Sequence, residues 1–189
     1  MRAEAGQVLH FSEDPTITVF EPHIARTAKQ REAYVWAVDA QRSPDYWFPR
    51  QCPRAMAWVQ ESTTEDDRER IIGDGDRVHA VEYGWLEAMR TVELYAYRLP
   101  AADFHDFEGQ CHVATTIVRP LGPAERVGDL FALHEEANIQ LRVLPNLWPF
   151  WDRVITSSLA FSGIRLRNAC PPVQGRPVIQ SETGSIRST

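Results

Sequence analysis

The sequence predicts an α+β fold, a mainly antiparallel and partly split β-sheet with two C-terminal helices packed on it. Three observations carry this expectation. The first two-thirds of the chain is a series of short β-branched and aromatic runs separated by Pro, Gly and Asp turn signals. The last third switches to helical spacing of its apolar residues. With 189 residues, 43% of them hydrophobic, the chain can fill one core, so a single domain over 1–170 is expected, followed by a tail over 171–189 that is disordered or draped on the surface.

In order along the chain, Val8–Ser12 and Thr16–Phe20 read as short strands divided by the acidic turn Glu13-Asp14-Pro15. His10 and Ser12 then share a face of the first strand. Ala33–Asp39 is a β-branched and aromatic run suited to a strand buried on both faces, and Ala55–Gln60 is its return strand. Glu61–Asp76 is polar, charged and glycine-containing, with Ile71 and Ile72 as its only apolar residues, and reads as a mobile acidic surface loop. Val78–Tyr83 and Val92–Leu99 are strands flanking a short helix at Trp85–Arg90. In the second of these strands, alternation puts Tyr95, Tyr97 and Leu99 on the core side. Cys111–Val118 is a further strand, ended by Pro120. Val127, Leu130, Phe131 and His134 recur at helical spacing, and the strand Gln140–Leu144 follows. Asn146 can then cap a second helix whose buried stripe is Leu147, Phe150, Trp151, Val154 and Ile155, with Pro149 in its first turn. Phe161–Ala169 alternates arginine with aliphatics, which on a strand sends Arg165 and Arg167 to one face, towards a pocket or towards solvent and nearby acids.

The net charge of −6 argues against a general nucleic-acid coat or an anionic membrane surface, both of which call for a long-range positive field. No apolar run approaches a bilayer span and the N-terminus lacks signal-peptide character, so a cytoplasmic location is expected. Three distant cysteines, Cys52, Cys111 and Cys170, fit a reducing compartment. The six histidines fall in no metal-ligand spacing, and neither GxGxxG nor GxxxxGK[ST] occurs. Cys52-Pro53-Arg54 lacks the glycine and the amide donor of a phosphatase-type cradle.

The most site-like stretch is Asp45-Tyr46-Trp47-Phe48-Pro49-Arg50-Gln51-Cys52-Pro53-Arg54, three consecutive aromatics beside two arginines on a proline-stiffened backbone. Rings can stack on a flat ligand while guanidinium groups hold a phosphate, and the same composition serves equally as a core-edge loop. His10-x-Ser12-x-Asp14 offers an imidazole, a hydroxyl and a carboxylate at the end of the first strand, either for a polar ligand or as a strand-edge histidine followed by an Asx turn.

The blocks Leu9-His10-Phe11-Ser12-Glu13-Asp14-Pro15, Phe48-Pro49-Arg50-Gln51-Cys52-Pro53-Arg54 and Phe161-Ser162-Gly163-Ile164-Arg165-Leu166-Arg167-Asn168-Ala169 resemble an uncharacterised bacterial family, a domain of unknown function. The polar first strand and the Tyr95-Ala96-Tyr97 strand also look like the split sheet of ADP-ribosyltransferase-like proteins. That resemblance implies NAD as a cofactor and a transferase acting on a nucleotide-type substrate. His10 would match the family's first-strand residue, and Trp36 or Tyr46 its second. Cys111–Thr116 departs from the pattern, since it has no carboxylate where the family places one.

The expected function is binding of a nucleotide or another phosphorylated small molecule, with NAD among the candidates. His10, Ser12 and Tyr46 are the candidate catalytic residues. Asp14, Trp47, Arg50, Arg54, Arg165 and Arg167 are the candidate ligand-binding residues, with Trp47 on a base and Arg50 and Arg54 on a phosphate. The rival expectation is a non-catalytic protein-interaction module in which Tyr46, Trp47 and Phe48 form an exposed anchor rimmed by arginine.

Overall fold

In a computed structural model, which describes residues 1–24, 32–109 and 111–172, the chain is α+β with mostly antiparallel sheets. The elements are β1 (Gln7–Ser12), β2 (Val35–Ala37), β3 (Arg54–Trp58), α1 (Glu65–Asp67), β4 (Arg77–Glu82), α2 (Leu86–Thr91), β5 (Tyr95–Pro100), β6 (His105–Phe107), β7 (Cys111–Ala114), β8 (Glu125–Arg126), α3 (Leu130–Glu136), β9 (Gln140–Leu144), α4 (Trp148–Val154) and β10 (Ala160–Ile164). The chain divides into two compact units, each interleaved from two segments. The first unit is Met1–Arg50 with Val92–Leu130, and the second is Gln51–Thr91 with the chain from Phe131 onward.

The first unit holds the sheets β1-β5-β8 and β2-β7-β6. β1 pairs antiparallel with β5, placing His10 opposite Tyr97. Its other edge meets the chain just after β2, where Leu9 and Val38 exchange both backbone hydrogen bonds at 2.8 and 2.9 Å. The core is Val8, Phe20, Val35, Ala37, Tyr97, Leu99, Ala114 and Val118. Each large side chain sealed there contributes about 1.5–3 kcal/mol. Thr16–Phe20, expected to be a strand, contributes only the bridge Phe20–Val118. The buried phenol of Tyr97 explains why. Its hydroxyl donates to the Asp14 carbonyl at 2.6 Å and accepts from the Ile17 N–H at 3.0 Å, occupying backbone groups that a ladder would need.

The second unit holds the sheet β10-β3-β4-β9, antiparallel except for the parallel pair β4–β9. Small residues on one face, Ala55, Ala57, Val78 and Ala80, let the ring-bearing helix α4 approach, and Leu147, Phe150, Trp151 and Val154 complete the core. Gly163 on β10 serves the same close approach, since a Cβ there would lie 2.7 Å from the Trp151 ring and 2.6 Å from Leu166. The first amides of α4 are held by Glu82 and Asn146, whose carboxylate and side-chain carbonyl accept from Leu147 and Trp148, both at 3.0 Å.

Two expectations change here. Residues 61–76 are not an unstructured loop. Thr64 Oγ1 accepts from the Asp67 amide to cap α1, a π-type turn continues over Arg68–Ile72, and Gly73 stops it at φ +78°. Ile71 and Ile72, the only apolar residues in the stretch, are both buried in the core and hold it down. Phe161–Ala169 is not one strand, because β10 ends at Ile164, Arg165 is left-handed at φ +56°, and Leu166–Asn168 form a 3₁₀ turn. The two arginines therefore do not share a strand face. The expected tail over 171–189 lies outside the described residues from 173 on.

Candidate functional site

The first unit contains a cavity of about 70 Å³ lined by Leu9, His10, Phe11, Trp36, Ala37, Val38, Tyr46 and Cys111. It sits where β1 and the chain leaving β2 are joined by the Leu9–Val38 bridge. Past that bridge a side chain spans the strands, with His10 Nδ1 lying 2.8 Å from the Trp36 carbonyl oxygen. Aromatic rings form much of the wall, with Phe11 and Tyr46 nearly parallel at 10° and 6.2 Å between centroids.

The state of His10 follows from its partner. A carbonyl can only accept, so Nδ1 carries the proton and donates to Trp36, leaving Nε2 with its lone pair. Nε2 has no hydrogen bond among the described residues. Burial holds the imidazole below its ordinary pKa of 6.5; the Trp36 carbonyl opposes this, and the charges of Arg50 and His23 add to it. His10 is therefore a neutral, oriented acceptor at pH 7, packed at 4.7 Å from the Phe20 ring. Such a group can accept from a ligand hydroxyl or amide, or take a proton from one.

Cys111 is the other reactive side chain in the wall. Burial pushes its thiol up to about 11, against the opposing charge of Arg42, so it stays protonated near neutrality. The Trp36 indole N–H is sealed from solvent and has no hydrogen-bond acceptor among the described residues. It lies between the Tyr34 and Phe107 rings, at 5.6 and 5.4 Å and close to perpendicular to both. Such edge-to-face packing suits an N–H turned to a π face, and a sealed donor offers nothing to the cavity.

Of the residues singled out from sequence, His10, Trp36 and Tyr46 meet at this cavity. Ser12 does not, being 2% exposed with its Oγ accepting from the Asp14 amide at 3.1 Å. Asp14 makes the Asx turn, taking the Thr16 amide at 2.8 Å and its hydroxyl at 2.6 Å, and these bonds lower its carboxyl pKa. Trp47 cannot stack on a ligand base. It is 2% exposed, its indole N–H donates to the Met1 carbonyl at 3.0 Å, and the Arg2 guanidinium covers its ring at 5.6 Å. Phe48 is buried as well, so Tyr46-Trp47-Phe48 is not an exposed protein-binding anchor.

Arg50 is exposed, and its backbone amide donates to Glu13 Oε1 at 2.7 Å, tying it to the end of β1. Its charge acts on His10. Arg54, Arg165 and Arg167 belong to the second unit. Arg54 is 3% exposed and donates to the Cys52 carbonyl at 3.0 Å, so its fork is turned inward rather than presented to a phosphate. The residues missed as site members are Phe11 and Cys111. A hydrophobic strand residue and a lone cysteine carry no signal in sequence, because only the Leu9–Val38 bridge makes them neighbours. Among the described residues no group of three or more His, Cys, Asp or Glu side chains could hold a metal ion, and no helix is long and apolar enough to cross a membrane.

The chain belongs to DUF6886, a family of unknown function whose profile matches residues 9–169 and so takes in every residue lining the cavity. No curated protein and no solved structure matches it.

Proposed function

We propose that the first unit binds a small anionic molecule bearing a hydroxyl or amide group, the class that includes phosphorylated sugars and nucleotides. The observation that carries the reading is the neutral imidazole of His10, locked through Nδ1 on the Trp36 carbonyl with Nε2 uncommitted, in the wall of an aromatic-lined cavity. A ligand hydroxyl donates to Nε2, and the exposed guanidinium of Arg50, whose field already reaches His10, balances the negative charge outside.

Size restricts what enters. The cavity is about 70 Å³, while a cavity of roughly 150 Å³ takes benzene and ligand clefts usually run to about 300–1,000 Å³. Only a terminal group of a few atoms is enclosed, and the remainder of a nucleotide or of NAD lies over the surface. The reading is one of recognition, since β7 supplies no carboxylate for a transferase step.

The test is a thermal-shift panel of inorganic phosphate, phosphorylated sugars, mononucleotides and NAD, with the dephosphorylated compounds as controls. A ligand at one hundred times its Kd stabilises by about 2.7 kcal/mol, a shift of several degrees. His10→Ala and Arg50→Ala should each abolish or sharply reduce it. A flat panel, or a shift that both variants retain, sinks the reading.

A further inference from the structure

Arg142 on β9 is a guanidinium fixed in the second unit without an acid. Its Nη1 donates to the Ile71 carbonyl at 2.8 Å, and its Nη2 donates to the Ile72 carbonyl at 3.1 Å and to Gln140 Oε1 at 3.0 Å. Its guanidinium carbon lies 5.4 Å from the centroid of the Phe150 ring on α4. All three acceptors are neutral, and the Arg142 Nε–H has none among the described residues. Closing the last carbonyls of the 68–72 turn accounts for Arg142 by itself. It does not account for a second cation beside it. Arg153 stands three residues after Phe150, so the two side chains are neighbours along α4, and Arg142 lies over the ring of the first. The Arg153 guanidinium is exposed and has no hydrogen bond or ion pair among the described residues. The two charges act on each other, since the Arg142 pKa is lowered first by burial and then by the Arg153 charge.

No acid is placed to neutralise them. Asp67, in the segment that Arg142 closes, is engaged by Arg70 at 2.6 Å and by the Ser158 amide and hydroxyl at 2.7 and 2.8 Å. Asp152 directly precedes Arg153, but adjacent residues of a helix do not face each other. Neither Asp152 nor Glu69 makes an ion pair among the described residues.

We propose that Arg142 and Arg153 form an anion site for a small dianion of the phosphate type. Two guanidinium groups match the charge of a dianion, and their N–H donors make charge-assisted bonds to its oxygens. Arg142 is already held by three hydrogen bonds and a ring, so little of its freedom is lost on binding, and Arg153 supplies the second charge from an exposed side chain. The site lies within the second unit and stands independently of the reading of His10.

The probe is inorganic phosphate, titrated into the full chain at pH 8 and constant ionic strength while carbon-13 NMR follows the guanidinium carbons, assigned with Arg142→Lys and Arg153→Gln. The Arg142 and Arg153 resonances should move along one saturating curve. Arg153→Gln alters an exposed side chain with no bond to the fold among the described residues, and should weaken the Arg142 response about tenfold. His10→Ala should leave that response unchanged, and acetate, a monoanion, should bind more weakly than phosphate. A linear drift without saturation, a curve that Arg153→Gln leaves in place, a response lost in His10→Ala, or an acetate curve of equal midpoint overturns the proposal.

Discussion

His10 and the pair His79–His134 are the same side chain in opposite settings. Each ring is fixed by a hydrogen bond in the body of its unit, yet the Nε2 of His10 has no hydrogen bond among the described residues while the facing nitrogens of the pair are occupied. His79 on β4 and His134 on α3 are both buried, His79 Nδ1 lies 3.0 Å from His134 Nε2, and His79 Nε2 accepts from Arg77 Nε at 3.0 Å. An imidazole with one nitrogen committed and the other open is oriented for a ligand. An imidazole with its nitrogens engaged is part of the frame, and its chemistry can only be released by breaking the frame. Burial alone does not separate the two cases. What separates them is whether each lone pair has a donor.

The largest effect expected from this difference is on stability. His79→Ala removes a buried ring, leaves Arg77 Nε–H and His134 Nε2 without their partner, and should cost about 2–4 kcal/mol. His10→Ala loses one bond to a carbonyl and the contact with the Phe20 ring at a half-buried position, and should cost about 1–2 kcal/mol. Urea titration of the two variants at pH 7.5 reads both numbers, and equal losses would break the distinction between a ligand-facing and a structural histidine.

The cysteines sharpen the same contrast on a smaller scale. Cys111 in the cavity wall has its pKa raised to about 11, while burial pushes Cys52, 0% exposed in the second unit, to about 12. Burial keeps both thiols protonated near neutrality, and Cys111 is the more accessible of the two. Labelling with a thiol reagent at pH 8, followed by mass spectrometry, should therefore modify the exposed Cys170 first, Cys111 next and Cys52 last. A ligand seated against His10 should slow Cys111 and leave Cys170 unchanged.

How much of this could be read in advance differs by kind of signal. Local patterns were legible: β9 falls on Gln140–Leu144, α4 carries Pro149 in its first turn, and Asp14 makes its Asx turn. Features decided by burial were not. Tyr46-Trp47-Phe48 beside Arg50 and Arg54 has the composition of a ligand loop, but the chain turns Trp47 and Arg54 inward, which composition does not encode. The segment 61–76 looked too polar to fold because two adjacent isoleucines give no period, yet they suffice to anchor a capped turn. The division into two interleaved units joins segments far apart in the chain, beyond the reach of any linear window.

The smallest effect bears most directly on the proposed site. His10 is held below 6.5 first by burial, and the Arg50 charge adds to this. On lowering the pH, the unfolded chain therefore takes its proton first. His10 costs the fold nothing above pH 6.5; as pH falls below that value stability is lost, and the loss levels off once the folded ring also protonates. Ligand binding should weaken over the same acid range, because a protonated Nε2 can no longer accept. Arg50→Ala removes one of the lowering charges, so the His10 ring-proton titration followed by NMR should move to higher pH while staying under 6.5, burial being the larger cause. An unmoved midpoint would mean that the guanidinium is too far from the imidazole to share a ligand with it.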